Sequence, residues 1–416
     1  MKRPIVRLSS LQLTNIKNVK RGTIYMPNTV NKILSADKAE ILGIYGQNGS
    51  GKTAIVDALY FLQKVMIGDD LDQSLEDYMN MDSDTAEIFA DFNLFMNGIV
   101  FEIGYRLSLS REEKVVVISR ETLSGAKNEN GIRTNKTVFM DYQRDQTNTI
   151  FKPQKRLDEI LEENKDIKTD LIVARKMAEK SNCSYIFGES SRDIFCREYK
   201  NGFQQFSVII SSLSEFALKD LFVIRNTHSG VISGNFVLPM AFRIENDNMG
   251  AKGDFTVSLT EPILVDEERK NLLETIVEQI NIVLYTIIPG LQVTIKNYGK
   301  QSLDDGEEGW KLELMSKKEG MKEIPLRMES EGIIKIISIL NALMQAFGNP
   351  SVCLVIDELD SGIFEYMLGE LLDIFKKSAK GQLIFTSHNL RALEMIDKES
   401  IMFSTTNPNN RYIHMK

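Results

Sequence analysis

The residues best suited to chemistry form one short glycine-rich segment, GQNGSGKT, at positions 46–53. It fills every fixed position of the pattern G-x-x-x-x-G-K-[ST] and lies between a predicted strand and a predicted helix, the context that this pattern requires. In such a loop, backbone N–H groups close around phosphate oxygens at the helix N-terminus, the lysine reaches the β and γ phosphates, and the final hydroxyl binds Mg²⁺. The predicted phosphate-binding residues are Gly46, Gln47, Asn48, Gly49, Ser50, Gly51, Lys52 and Thr53.

A second metal ligand is predicted at the end of the apolar run VCLVID, which reads as a buried strand. Ligands collect at the carboxyl ends of parallel strands, so Asp357 is placed to hold Mg²⁺ together with Thr53. Glu358 follows directly, and its carboxylate can orient or deprotonate a water molecule that attacks the γ-phosphate. The alternative for Glu358 is a surface carboxylate, which the adjoining Asp357 makes the weaker interpretation.

A histidine, His388, ends a further predicted strand, QLIFTSH. A lone histidine is usually structural. This one follows the strand expected beside the aspartate strand, so its ring can direct a donor at the γ-phosphate and take part in catalysis. The sequence therefore predicts a catalytic site that contains Lys52, Glu358 and His388.

One further segment, RMESEGIIKI at 327–336, carries a serine and a glycine directly before an apolar helical run. A helix N-terminus with a hydroxyl and free N–H groups can bind an anion. The same pattern also occurs at the start of many buried helices. From these residues alone, Ser330 and Gly332 have both interpretations.

The elements that must position these residues follow from hydrophobic periodicity. Alternating runs at the N-terminus and between Glu87 and Tyr142 predict strands and an antiparallel β subdomain. Helical spacing returns over 155–180, and the C-terminal third alternates strand and helix, which indicates a parallel sheet. We predict an N-terminal ATPase lobe (1–150), a helical or mixed insertion (151–245) and a C-terminal ATPase lobe (246–416).

The order of these motifs resembles the ABC-type ATPase heads of the SMC and RecF class. More narrowly, it is similar to OLD-like small AAA-annotated ATPases of bacterial phage-defence systems, such as the ATPase component of PARIS. The resemblance rests on the P-loop, the Ser-x-Gly before an apolar helix, the run VIDELDSG and the TSH segment. It covers both ends of the chain and hardly touches 150–245. It implies an α/β P-loop ABC-type ATPase head with a mixed parallel sheet, an antiparallel β subdomain and a helical insertion.

This resemblance also implies roles for residues. Ser330 and Gly332 stand where the signature motif binds the γ-phosphate of ATP held by another subunit, and Lys335 stands where a basic residue commonly follows. Asp360 and Ser361 stand in the D-loop that crosses the dimer interface. The sequence departs from the class in having a degenerate signature, and neither a Q-loop glutamine nor an adenine-stacking aromatic residue can be placed.

Taken together, the resemblance implies an ATPase that uses ATP and Mg²⁺, pairs with itself through ATP and controls a separate effector protein in antiviral defence. Only 28 residues follow His388, too few for the nuclease domain of larger OLD proteins, so we expect the effector on another chain. The alternative is a DNA repair or chromosome-maintenance ATPase, with a phosphate-binding groove formed by Lys17, Lys20 and Arg21 or by the basic segment 125–156. We favour a solvated face as the interpretation of those basic residues. The poor signature speaks against a transporter ATPase.

Composition agrees with a globular chain, since 43% of its 416 residues are hydrophobic and 26% are charged. Three cysteines are too few and too irregularly spaced for a disulfide framework or a zinc site, so we expect a reducing cytoplasmic setting. A net charge of -8 argues against a surface that coats nucleic acid globally. The sequence has no apolar run long enough for a membrane span, and no contact with membranes is expected.

Overall fold

The structure is a computed structural model that describes residues 3–71, 73–112, 115–146, 148–163, 165–225, 237–246, 249–258, 261–302, 308–389 and 394–414. The strands are β1 (Ile5–Ile16), β2 (Val19–Tyr25), β3 (Glu40–Tyr45), β4 (Thr85–Met96), β5 (Ile99–Glu112), β6 (Val115–Glu129), β7 (Ile132–Arg133), β8 (Thr137–Gln143), β9 (Leu221–Ile224), β10 (Val237–Asn246), β11 (Met249–Ser258), β12 (Ile263–Val265), β13 (Leu291–Ser302), β14 (Glu308–Lys318), β15 (Ile324–Pro325), β16 (Cys353–Ile356), β17 (Gln382–Ser387), β18 (Ile401–Ser404) and β19 (Tyr412–His414). The helices are α1 (Pro27–Val30), α2 (Lys52–Ile67), α3 (Gln154–Glu163), α4 (Ile167–Ser181), α5 (Glu189–Phe195), α6 (Gln204–Glu215), α7 (Glu267–Ile287), α8 (Glu331–Gly348) and α9 (Glu365–Ser378).

A mixed sheet with the order β19-β18-β3-β17-β16-β9 lies at the centre of the fold. Its neighbouring pairs are parallel except β18 with β19. All residues of β3, β16 and β17 are buried, which explains why the apolar residues of these strands are consecutive rather than alternating. Because β17 lies between β3 and β16, the carboxyl ends of three motif-bearing strands meet at one edge of the sheet. The predicted α/β fold with a mixed, mostly parallel sheet is confirmed.

An antiparallel sheet, ordered β2-β1-β4-β5-β6-β7 with β8 paired to β6, forms the predicted β subdomain. Strands β1 and β3, both near the N-terminus, thus lie in different sheets, β1 here and β3 in the central sheet. Helix α2 is apolar nearly all round and its residues share one buried cluster with this sheet.

The helical insertion differs in detail from its prediction over 155–180. Two helices, α3 and α4, occupy this range instead of one. The segment EENKD at 162–166 offers no apolar side chain to a core, which accounts for the break. Strand β9 also falls within the predicted insertion 151–245, yet it pairs with β16 as the edge strand of the central sheet.

The C-terminal lobe adds a smaller antiparallel sheet, ordered β12-β14-β13, and helix α7. Asp266 caps α7, because its carboxylate accepts a hydrogen bond from the Arg269 amide at 2.7 Å. Helix α8 is long and apolar enough to cross a membrane by length and composition, but most of it is buried inside the protein. It packs against α7 and β16, so it is a core helix of this lobe.

A buried polar network joins the antiparallel sheet to the amino end of the central sheet. The Arg7 guanidinium donates to the Glu40 carboxylate and to the carbonyl oxygens of Ala36, Lys38, Pro350 and Lys380. This network compensates a buried charge with a paired carboxylate and several acceptors, as burial of a charge requires. It fixes β1 against β3 at the end of the sheet opposite the P-loop.

Candidate active site

The glycine-rich loop joins the end of β3 to the first residue of α2. Gly51 stands at the helix N-cap with φ of 93°, a left-handed conformation that a side chain disfavours. Gly49 also has a positive φ, and a Cβ built there meets no atom within 4 Å among the described residues. The loop therefore places the first amides of α2 at the carboxyl edge of the sheet, where an anion is stabilised by them and by the helix dipole.

Lys52 closes this loop from inside. Its ammonium donates to the carbonyl oxygens of Gly46 at 2.7 Å and Gln47 at 3.0 Å. Burial lowers the pKa of Lys52, while the nearby charges of Glu358, Asp357 and Asp360 act in the opposite direction. The nearby carboxylates compensate only part of the ammonium's charge. A phosphate bound in the loop would supply further negative charge.

Residues distant in sequence brace the loop. The Asn18 amide donates to the Gly49 carbonyl at 2.6 Å, and the Tyr412 hydroxyl donates to the Gly51 carbonyl at 2.7 Å. A Cβ at Gly46 would lie 2.0 Å from the Ser404 hydroxyl, so only glycine fits there. The sequence carries no local signal for these contacts, because the contacting residues are far from the loop in sequence and only the tertiary fold brings them to it.

The two predicted Mg²⁺ ligands lie together at this edge. Asp357 is 1% exposed, and its Oδ1 accepts a hydrogen bond from the Thr386 hydroxyl at 2.6 Å. Burial raises the pKa of Asp357, while hydrogen bonds from Thr386 and Thr53 lower it. Its Oδ2 is buried and has no hydrogen-bond partner in the part of the chain that the structure describes.

That unpartnered oxygen fits a metal ion. Mg²⁺ prefers oxygen ligands and usually takes one or two protein groups, with water and phosphate completing its shell. Asp357 and the Thr53 hydroxyl supply such a pair. The described residues hold no cluster of three or more histidine, cysteine, aspartate or glutamate side chains that could bind a metal alone, so phosphate oxygens and water would complete the coordination.

Glu358 and His388 are neighbours beside this metal position. The distance from His388 Nε2 to Glu358 Oε1 is 3.5 Å, and both side chains are partly exposed. Glu358 adopts φ of 48°, an uncommon conformation for a residue with a side chain, which is often found at functional sites. The Thr386 hydroxyl accepts a hydrogen bond from the Glu358 amide at 2.7 Å, so one threonine orients both carboxylate-bearing residues.

Asp360 has a contact within its own chain that the sequence did not predict. Its Oδ2 accepts hydrogen bonds from the amides of His388 at 2.9 Å and Asn389 at 2.8 Å. Asp360 therefore holds the turn that carries His388. Ser361, one residue further, is exposed, and its proposed position at a dimer interface stays a prediction.

The segment RMESEGIIKI begins helix α8 at Glu331, with Ser330 at the N-cap. Ser330 is exposed and its hydroxyl makes no capping hydrogen bond. Gly332 packs against the turn 358–362 so closely that a Cβ would lie 2.1 Å from the Gly362 carbonyl oxygen. Lys335 lies inside the protein instead of facing an anion at the surface. The helix end thus offers an open hydroxyl and first-turn amides beside the turn 358–362.

The basic residues considered for DNA binding are largely engaged by carboxylates. Lys17 forms an ion pair with the buried Asp57, which Arg225 also contacts at 3.2 Å. In the basic segment, ion pairs with carboxylates involve Lys127, Arg133, Lys136, Arg144 and Arg156. Lys20 and Arg21 are exposed. Most of these positive charges are therefore compensated within the chain.

Comparison with known proteins agrees with this geometry. Residues 41–164 match the family described as "AAA domain, putative AbiEii toxin, Type IV TA system". This match is a similarity over that part of the chain. It contains the whole glycine-rich loop and most of the antiparallel sheet. Among curated proteins, none matches the sequence.

Several solved structures are similar in fold. One is an Smc head bound to the C-winged helix domain of ScpA, with a TM-score of 0.47 and 14% identity over 98% of this chain and 97% of that chain. Another is an Smc head domain with an extended coiled coil bound to the C-terminal domain of ScpA, derived from Pyrococcus furiosus (TM-score 0.45, 16% identity, 99% and 96% covered). The SMC head domain from Thermotoga maritima is similar with a TM-score of 0.42 and 16% identity over 99% of each chain.

Proposed function

We propose that this protein is an ATP-hydrolysing switch that closes as a pair around two ATP molecules and controls a separate effector. The observation that carries this proposal is that two candidate phosphate-binding features lie at separate places on the chain. The P-loop, Asp357, Glu358 and His388 lie at one edge of the sheet, while the exposed start of α8 offers a second anion-binding helix end beside the turn 358–362. Each chain thus brings one nucleotide site and one helix end that can complete the site of another chain.

In the proposed reaction, the loop amides and Lys52 bind the triphosphate and Thr53 and Asp357 hold Mg²⁺. The ion would neutralise charge on the β and γ phosphates. Glu358 accepts a proton from the attacking water, and the imidazole ring of the neighbouring His388 donates a hydrogen bond toward the γ-phosphate. Lys52 stabilises the charge that develops on the transferred phosphoryl group.

The setting we propose is cytoplasmic antiviral defence, in which the closed pair signals to a toxin-like or nuclease-like partner. The matched family supports this setting, because its description names a putative toxin of a toxin–antitoxin system. The OLD-like motif order supports it as well. A DNA-maintenance role receives less support, since Lys17 and most of the basic residues in 125–156 contact carboxylates.

Pairing through the α8 helix end is tested by Ser330→Arg in a Glu358→Gln background. The Glu358→Gln chain should form stable pairs with ATP because it binds nucleotide without hydrolysing it. Adding Ser330→Arg places bulk and positive charge where the partner's γ-phosphate docks, so pairing should be lost. Light scattering with and without ATP and Mg²⁺ measures the mass.

The matched control is Ser378→Arg, which changes an exposed serine at the C-terminal end of a different helix, α9. This variant should pair as the parent does. If Ser330→Arg also pairs normally, the start of α8 is only the beginning of a core helix and the proposed interface is wrong.

A further inference from the structure

A buried lysine connects the start of α8 to the turn that carries Glu358. Lys335 lies on α8 and is 6% exposed. Its ammonium donates to the carbonyl oxygen of Glu358 at 2.5 Å and to that of Ser361 at 2.9 Å. Both acceptors belong to the turn between β16 and α9, so this single side chain spans the turn from the α8 side.

The turn is held from its other side by β17. The amide of Glu358 donates to the Thr386 hydroxyl at 2.7 Å, and the amide of Leu359 donates to the Thr386 carbonyl at 3.0 Å. Within the turn, the Ser361 amide donates to the Glu358 carbonyl at 3.0 Å. The Glu358 backbone, with its unusual positive φ, is therefore fixed between Thr386 and Lys335.

Packing alone does not explain a lysine at this position. Burial lowers the pKa of Lys335 to about 8, against the opposing charges of Asp360, Glu358 and Asp357. A buried ammonium is destabilising unless hydrogen bonds and charges compensate it, whereas an unbranched apolar side chain would fill similar space without that cost. The polar contacts are what a methionine at this position could not make.

We propose that Lys335 is a positioning residue for hydrolysis, which holds the turn 358–361 so that the Glu358 carboxylate faces the P-loop. By the same contacts it ties that turn to the helix end that meets the partner's nucleotide. The expected effect on hydrolysis rests on the proposed function, since the inference assigns Lys335 to the hydrolysis step. Lys335 acts through the backbone of Glu358 and does not itself touch the nucleotide.

The test compares Lys335→Met with Lys335→Arg. Lys335→Met should lower kcat at least about tenfold while KM for ATP changes less than about twofold, because one misplaced catalytic group affects the chemical step and leaves the phosphate contacts intact. Lys335→Arg retains donors for both carbonyl oxygens and should recover much of kcat. Lys377→Met, at an exposed lysine of α9, should leave both constants unchanged.

A second readout does not depend on ATP hydrolysis. Hydrogen exchange at the amides of Ser361 and Leu359 should rise in Lys335→Met, while exchange in β3 and in the P-loop helix α2 stays as in the wild type. Unchanged exchange in the turn would overturn the inference, whether or not the wild type hydrolyses ATP. A wild-type protein without ATPase activity would instead refute the proposed function. Equal losses of kcat and of melting temperature in the methionine and arginine variants would also overturn it, because they indicate a structural role only.

Discussion

Replacing Glu358 with glutamine is expected to leave ATP binding intact and to slow hydrolysis by roughly 10²-fold or more, the usual contribution of a general base. Glutamine has nearly the same shape and can still contact His388, but its amide cannot accept a proton from the attacking water. Lys52 donates to the carbonyl oxygens of Gly46 and Gln47, and Asp357 accepts from Thr386, so these hydrogen bonds remain when residue 358 is glutamine. Phosphate release under saturating ATP measures the rate, and titration with a fluorescent ATP analogue measures binding.

The control for this change is Glu370→Gln, which removes one carboxylate from helix α9 away from the site. It should hydrolyse ATP at the wild-type rate. Unchanged turnover in the Glu358→Gln protein would remove Glu358 from the role of general base and leave His388 or water alone as the proton acceptor.

Replacing Lys52 with alanine is expected to lose both ATP affinity and activity. The ammonium is the buried positive charge that closes the P-loop, and charge-assisted hydrogen bonds contribute about 1.5–3 kcal/mol each. Loss of even one such bond to phosphate weakens binding at least about tenfold by the same energies. Isothermal titration with ATP and Mg²⁺ measures the change in Kd.

Lys64→Ala provides the comparison, because Lys64 is in the last turn of the same helix and faces Tyr60 instead of the loop. This variant should bind ATP as the wild type does. Retained affinity in Lys52→Ala would mean that the triphosphate binds elsewhere.

Much of the candidate site follows from short sequence patterns combined with one topological rule. The P-loop is local, since its strand, glycines and helix start are contiguous. Asp357 and His388 each end a run of buried apolar residues. In a parallel sheet the carboxyl ends of such strands meet at one edge, so their proximity to the loop was predictable once β3, β16 and β17 were recognised.

Other contributors had no local signal. Thr386 lies inside a buried strand and gives no sign of orienting both Asp357 and Glu358. The contacts of Asn18 and Tyr412 with the P-loop depend on pairing between distant strands. Lys335 reads as part of a signature motif, yet its contacts are internal because α8 is buried and its lysine faces the turn behind Glu358.

Helical breaks and charged faces were also hard to predict. The helical spacing of apolar residues continues over 155–180, so it does not reveal the break between α3 and α4. Lys17 reads as a free cation near the N-terminus, but its partner Asp57 lies on the helix that follows the P-loop. Ion pairs between residues far apart in sequence cannot be read from charge counts.

The claim that each nucleotide site is completed by a second chain is tested most directly by mixing two inactive variants. Glu358→Gln keeps its helix end but lacks the base, whereas Ser330→Arg keeps its base but lacks the helix end. A mixed pair contains one intact composite site, formed by the P-loop of the Ser330→Arg chain and the α8 start of the Glu358→Gln chain. Mixed in equal amounts before ATP is added, the two variants can form pairs in which one of the two sites is intact, so the mixture is predicted to hydrolyse ATP faster than either variant alone and more slowly than the wild type. A mixture that stays as inactive as its two components would contradict the account.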